Sequence, residues 1–378
     1  MSATTLQRLS LFFEKNPSYR TRGFLPAEDP LWTFPAGSPL AALDEWGARL
    51  PRLLGDPGFR GHMREDFWPG HWFKYCTGPE YLPELRLYYV RLAFMASAYV
   101  HQLGQEQVKV LPHNIAVPLV EITRLLGRPP ILSYDGYALY NWRRINPEGP
   151  ITPNNLMTIQ NFMHLPDAVG VNQETWFIDT HVAIEAIAAR ILDALAYFAR
   201  GEADLNGMLY HIANTIHWMR ADLACIPEHM DPMVYYKTFR NYIQGFKDVV
   251  YEGVSDEPRT LCGETGAQSS IVPLLDSFLK IHHERSPLVR MLEDMRNYMP
   301  AEHRVLLALV DALPDIRPQA SKDAWNDAID ALIGFRRLHL GWAEAYIHKH
   351  VADPHGTGGT VYMQWLGDLI KETEAAKK

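Results

Sequence analysis

The segment Ser321–Val351 constrains this chain most. Trp325, Ile329, Leu332, Phe335, Trp342 and Tyr346 recur there at intervals of three and four, which puts one apolar face along a long helix. Such a stripe must be covered by other elements, and the same periodicity recurs through the second half of the chain, so the fold class is mainly α. His339 falls on the apolar face, between Phe335 and Trp342, and Arg336 lies one turn before it.

The remaining pattern divides the chain. Residues 1–80 are rich in proline, tryptophan and short turns, with a brief helix at Pro39–Leu54 and a stronger one at Tyr81–Leu103. The passage Lys109–Pro118 reads as a loop because its two prolines are poor helix residues; a short helix, Leu119–Leu126, then ends at Gly127 and Pro129-Pro130. These breaks predict a small, irregular α domain over 1–128 and a large all-helical domain over 129–378. In the second part, Asp179 or Thr180 is the predicted cap of a helix Thr180–Arg200. Further helices are expected at Asp204–Cys225, Asp231–Phe246, Gln268–His283, Pro287–Tyr298, Ala301–Ala312 and Thr360–Glu374. The polar stretch Lys247–Ala267 reads as a functional lid or a mobile loop.

Bulk properties exclude several function classes. The chain has 378 residues with 44 acidic and 36 basic side chains, a formal charge of −8, and no basic tract, which argues against nucleic acid as a partner. Cys76, Cys225 and Cys262 are far apart, with neither disulfide-framework nor CxxC spacing, as expected in a reducing cytoplasm. The start, Met1–Thr5, lacks the basic and apolar run of a signal peptide, and Leu87–Leu103 carries Arg91 and His101, which suits an amphipathic core helix and no membrane span.

Three constellations could carry chemistry. A neutral imidazole on an apolar helical wall suits an axial ligand of haem iron, and His339 has that setting, although a lone histidine there is ordinarily a core residue bonded to a carbonyl. Tyr236, Phe239, Ile243 and Phe246 form a stripe with Arg240 beside it, so Arg240 grips either a substrate carboxylate or a structural partner. His181 lies in the first turn of its predicted helix, where the dipole favours a neutral ring that either meets a ligand or caps the helix. The run Gly356-Thr357-Gly358-Gly359-Thr360 lets backbone approach a ligand or simply connects elements.

Taken in order, these segments resemble the indoleamine 2,3-dioxygenase family. The carriers are Lys109–Pro118, Pro129–Tyr134, Asn141-Trp142, Phe239–Tyr242, Gly266–Ser270, Asp294–Pro300, Leu338–Leu340 and the GTGGT run. The resemblance implies one b-type haem with His339 as proximal ligand, and Arg336 with Asp276 beside a haem propionate. It implies Arg240 as the clamp on the substrate carboxylate, Tyr134, Phe177 and Tyr236 as pocket wall, and Thr357 as the loop threonine closing over substrate. Thr265 and Gly266 belong to the glycine-rich turn passing the distal side of the haem. Where vertebrate members carry a serine, this chain has His181, which is more like the related tryptophan 2,3-dioxygenases, and Tyr235-Tyr236 replace a phenylalanine pair.

Together, composition and the absence of signal or spanning patterns predict a soluble, cytoplasmic protein, expected to be a monomer or weak homo-oligomer, and the resemblance implies ferrous haem b as cofactor, O2 as co-substrate and a small indole as partner. The expected reaction inserts both oxygen atoms across the indole C2–C3 bond, turning L-tryptophan into N-formylkynurenine. The alternatives are the same cleavage of simple or substituted indoles, a monooxygenation in a biosynthetic pathway, or a non-catalytic haem and O2 sensor.

Overall fold

Asn172 caps the helix that carries His181: its side chain accepts from the backbone N–H groups of Glu174 and Thr175 at 3.0 and 3.2 Å. That helix therefore starts seven residues before the predicted cap. In the computed structural model, which describes residues 3–69, 78–163, 172–284, 287–350 and 362–378, the chain is built mainly of helices.

Helices span Ala3–Lys15 (α1), Tyr19–Arg22 (α2), Ala41–Leu53 (α3), Phe59–Glu65 (α4), Leu82–Val100 (α5) and His113–Leu125 (α6). They continue as Gln173–Ile187 (α7), Ala189–Ala199 (α8), Leu205–Ala224 (α9), Ile226–His229 (α10), Pro232–Lys237 (α11) and Phe239–Tyr242 (α12). The last are Ile271–Phe278 (α13), Pro287–Met295 (α14), Ala301–Asp311 (α15), Lys322–Tyr346 (α16) and Tyr362–Ala375 (α17). Val110–Leu111 (β1) pairs in parallel with Phe246–Tyr251 (β4), which pairs antiparallel with Ser255–Leu261 (β5). Trp142–Arg144 (β2) and Leu156–Thr158 (β3) form a separate antiparallel ribbon.

Several boundaries correct the sequence reading. The expected lid over Lys247–Ala267 is largely the β4–β5 hairpin, turned at Gly253, whose φ of +79° suits glycine. Pro118 lies inside α6, not in a loop: the buried face of Ile115, Leu119 and Ile122 outweighs one missing hydrogen bond. The helix expected over Asp231–Phe246 breaks at Thr238 into α11 and α12, then enters β4. Helix α5 is buried on nearly every side instead of one face, and the terminal nitrogens of Arg91 donate there to Asp44, Gln160 and the carbonyls of Trp32 and Ile159.

Helix α16 runs through the core and packs chiefly on α9 and α17. Its cap is Ser321, whose Oγ accepts from Ala324 N–H at 3.2 Å. Trp325, Ile329 and Leu332 are fully buried, and the polar tips of its aromatic residues find carbonyls: Trp325 on Ala376 and Tyr346 on Met230, both at 2.8 Å. No helix among the described residues is long and apolar enough to cross a membrane.

Candidate active site

The apolar face of α16 changes character along its length. Its first half is sealed, but Phe335, Arg336 and His339 open on a cavity of about 580 Å³. Asp276 of α13, Leu366 and Leu369 of α17, and the turn Thr265–Ala267 line its other sides. His339 is exposed, and it lines this cavity. Burial, then the nearby His181 and Arg336, bring its pKa down to about 4, so the ring is neutral at pH 7.

One turn before His339, Arg336 is buried, with Nη2 at 2.7 Å from both oxygens of Asp276. Its Nη1 donates to Leu369 O at 3.2 Å and to the Thr373 hydroxyl. Burial alone would raise the Asp276 carboxyl, but Arg336 and His283 outweigh it and hold the group below its ordinary value.

A second cluster surrounds His181. With α7 starting at Gln173, His181 sits in the third turn, beyond the reach of the helix dipole, and is no cap. Its pKa is lowered by burial, against an opposing hydrogen bond from Nδ1 to Phe177 O at 2.7 Å. That bond places the ring proton on Nδ1 and leaves Nε2 as acceptor. The ring lies 4.4 Å from Phe177 and 6.3 Å from Tyr134, centroid to centroid.

Tyr134 is held from both ends. Its backbone N–H donates to Gln268 Oε1 and its Oη to Glu185 Oε1, each at 2.9 Å. Gln268 also donates to Gly263 O at 2.9 Å, and Ser269 Oγ donates to Glu185 Oε1 at 2.6 Å. Glu185, one turn after His181, therefore joins α7, Tyr134 and the turn that reaches the cavity. Burial pushes its carboxyl up to about 7, although Ser269 and Tyr134 pull the other way. Thr265 caps that turn by accepting from Ala267 N–H at 3.4 Å, and a Cβ at Gly266 would meet open space.

Arg240, in α12, is buried with its guanidinium 5.5 Å from the Tyr236 ring, so the pair survives the break at Thr238. Tyr236 is half-buried and also faces His350, at 5.7 Å between ring centroids. It is Tyr235 that packs inward, 5.6 Å from Phe177 and 5.1 Å from Phe239. Thus Thr265, Gly266, Asp276, Arg336 and His339 line the cavity. Tyr134, Phe177 and His181 gather behind its turn, with Tyr236 and Arg240 on the adjoining α11–α12 segment. Thr357 and its glycine run lie outside the described residues.

The sequence model of the indoleamine 2,3-dioxygenase family matches residues 18–353. The chain belongs to the indoleamine 2,3-dioxygenase family. Indoleamine 2,3-dioxygenase 2 of Mus musculus is 31% identical over 367 residues, 88% of each chain. Indoleamine 2,3-dioxygenase 1 of Mus musculus is 31% identical over 366 residues, 87% of this chain and 83% of its own. A protein named myoglobin, from Haliotis diversicolor, is 29% identical over 286 residues, 69% of this chain and 71% of its own. As a member of the indoleamine 2,3-dioxygenase family, the chain is an oxidoreductase.

The partners of two residues of this site carry no signal in the sequence. Gln268, although it lies in the motif Gly266–Ser270, and His283 form cross-links between elements far apart in the chain, and periodicity contains no sign of such partners. Glu185 has a weak signal, a carboxyl one turn from a candidate histidine in an apolar stretch.

Proposed function

We propose that the chain is a haem-dependent dioxygenase that inserts both atoms of O2 across the indole C2–C3 bond, with L-tryptophan converted to N-formylkynurenine. The observation that carries this reading is His339, a neutral imidazole opening on a large cavity with the Arg336–Asp276 pair at its wall. The fit to haem is chemical: an unprotonated ring nitrogen for iron and apolar walls in Phe335, Leu366 and Leu369, with the Arg336–Asp276 pair, which the resemblance puts beside a propionate, at the same wall. Ferrous haem b, when bound, supplies the activation of O2.

The other roles belong to side chains. Arg240 orients the amino-acid carboxylate, and the Tyr236 ring beside it forms part of the pocket wall with Tyr134 and Phe177. His181 accepts the indole N–H at Nε2, because its own proton is held on Nδ1 by the Phe177 carbonyl. The turn with Thr265 and Gly266 borders the bound ring closely, and Thr357 closes over the substrate. A reducing cytoplasm belongs to the same reading, as does a monomeric or weakly associating state.

A second reading is an O2 carrier without turnover, and the similarity to the Haliotis protein named myoglobin favours it. One experiment separates the readings. Haem-loaded, anaerobically reduced protein is mixed with O2 and either L-tryptophan or indole, while the spectrum and product mass are followed. A gain of two oxygen atoms on tryptophan is expected. Turnover of indole alone moves the substrate to simple indoles, and a persistent oxygen complex without product overturns the dioxygenase in favour of the carrier.

A further inference from the structure

His283 lies between two carboxyl groups from different helices. Its Nε2 is 3.1 Å from Asp276 Oδ2 in α13, and its Nδ1 is 2.5 Å from Glu372 Oε2 in α17. A neutral imidazole has one N–H, so it would turn a lone pair toward one of the two carboxylates; only the imidazolium donates to both. Asp276 is held in turn by Arg336, and Glu372 Oε1 accepts the backbone N–H of Glu284 at 3.1 Å. Charge alternates along this row: Arg336 positive, Asp276 negative, His283 positive, Glu372 negative.

We propose that His283, as an imidazolium, is a positioning residue that latches helix α17 across the cofactor cavity. Asp276, His283 and Arg336 all line that cavity together with His339, and Leu366 and Leu369 bring α17 into the same wall. Breaking the row would free the end of α17 from α13 and loosen the wall around whatever the cavity holds. The consequence for haem retention rests on the haem reading above; the latch itself does not.

The charged groups facing His283 decide the sign. Asp276 from α13 and Glu372 from α17 favour the charged ring, whereas burial and Arg336 from α16 oppose it. On its own segment, Lys280 turns away to Asp311 O at 2.8 Å, and His282 is exposed. The balance raises the pKa of His283 above its ordinary 6.5. The latch is therefore complete below about 6.5 and is lost as pH rises through the raised value.

The test reads α17 directly, by amide hydrogen exchange over residues 362–375 in the haem-free chain between about pH 6 and 9, in wild type, His283→Gln and Glu372→Gln. Wild type should lose α17 protection as pH rises, and His283→Gln should show low protection throughout. Glu372→Gln, which keeps an acceptor for Glu284 N–H, should move the wild-type step to lower pH. In parallel, transfer of haem to excess apomyoglobin should be roughly fivefold to tenfold faster from His283→Gln than from wild type at pH about 6, the scale of losing a part-buried ion pair. An exchange profile shared by wild type and His283→Gln, or a step unmoved in Glu372→Gln, overturns the latch. Failure to take up haem with the exchange profile intact overturns the haem reading and leaves the latch standing.

Discussion

Tyr134 donates its phenol hydrogen to Oε1 of Glu185 over 2.9 Å, and Ser269 donates to the same oxygen at 2.6 Å. With both donors on Oε1, the proton of the neutral carboxyl belongs on Oε2. One buried acid thus sets the spacing between the His181 helix, the Tyr134 wall and the turn that lines the cavity.

Glu185→Gln keeps the acceptor and should retain most activity, whereas Glu185→Ala leaves the buried Tyr134 hydroxyl and the half-buried Ser269 hydroxyl unmatched and should cost roughly 1–3 kcal/mol of stability. Because burial lifts the carboxyl from 4.5 to about 7, folding binds a proton there; wild-type stability gains a falling component between those pH values. Urea melts across that range should show this component shrink in Glu185→Gln. An unchanged slope would place the titration elsewhere.

His339→Ala should remove the haem Soret band while leaving the circular dichroism of the helices unchanged, since the ring opens on a cavity and fills no packed core. In wild type, the neutral ring is the iron-binding form. In the haem-free chain it is lost as pH falls through about 4; iron on the ring would hold the proton off, so the loaded protein should release haem only below that pH. Absorbance titration of the loaded protein measures this.

Substituting His181 by alanine removes the acceptor aimed at the indole N–H. Turnover of tryptophan should fall by roughly tenfold to a hundredfold with haem content unchanged, the scale of a lost positioning contact. 1-Methyltryptophan, which has no N–H to offer, should lose less. Steady-state rates on both substrates decide it.

Arg240→Ala should raise KM for tryptophan by roughly a hundredfold, the loss of a charged hydrogen-bonding partner, while indole is affected far less. Equal losses on the two substrates would make Arg240 a structural ion-pair residue. Its retained contact with the Tyr236 ring, at 5.5 Å, gives Arg240→Lys little chance of rescue.

Gly23 meets the end of α7, where a Cβ would come within 1.9 Å of the Glu185 carbonyl, and its φ of +65° already favours glycine. Gly23→Ala should therefore destabilise the chain by about 2–3 kcal/mol, measured by chemical denaturation.

The placement of His339 was legible because it rests on local spacing. The three-and-four repeat from Trp325 to Tyr346 places it on one helical face with Phe335; the structure buries that face from Trp325 to Leu332 and opens it on the cavity at Phe335 and His339. His181 was legible as a candidate but not in its setting: Asn172 begins the helix earlier, and burial replaces the dipole as the reason for a neutral ring. The β4–β5 hairpin stayed hidden because Lys247–Leu261 is polar on its exposed side, and its pairing with Val110–Leu111 is not a local property.

By itself the sequence determined the mainly α class, the helix that presents His339, and the ordered motifs of the family, since helical periodicity and short motifs are encoded within a few turns of chain. Only the tertiary structure decided that Glu185 joins Tyr134 to Ser269, that His283 bridges Asp276 and Glu372, and that Tyr235 instead of Tyr236 packs on Phe177. Those pairings join residues from separate helices and turns, and the packing of elements, not the spacing of residues, brings their polar atoms within bonding distance.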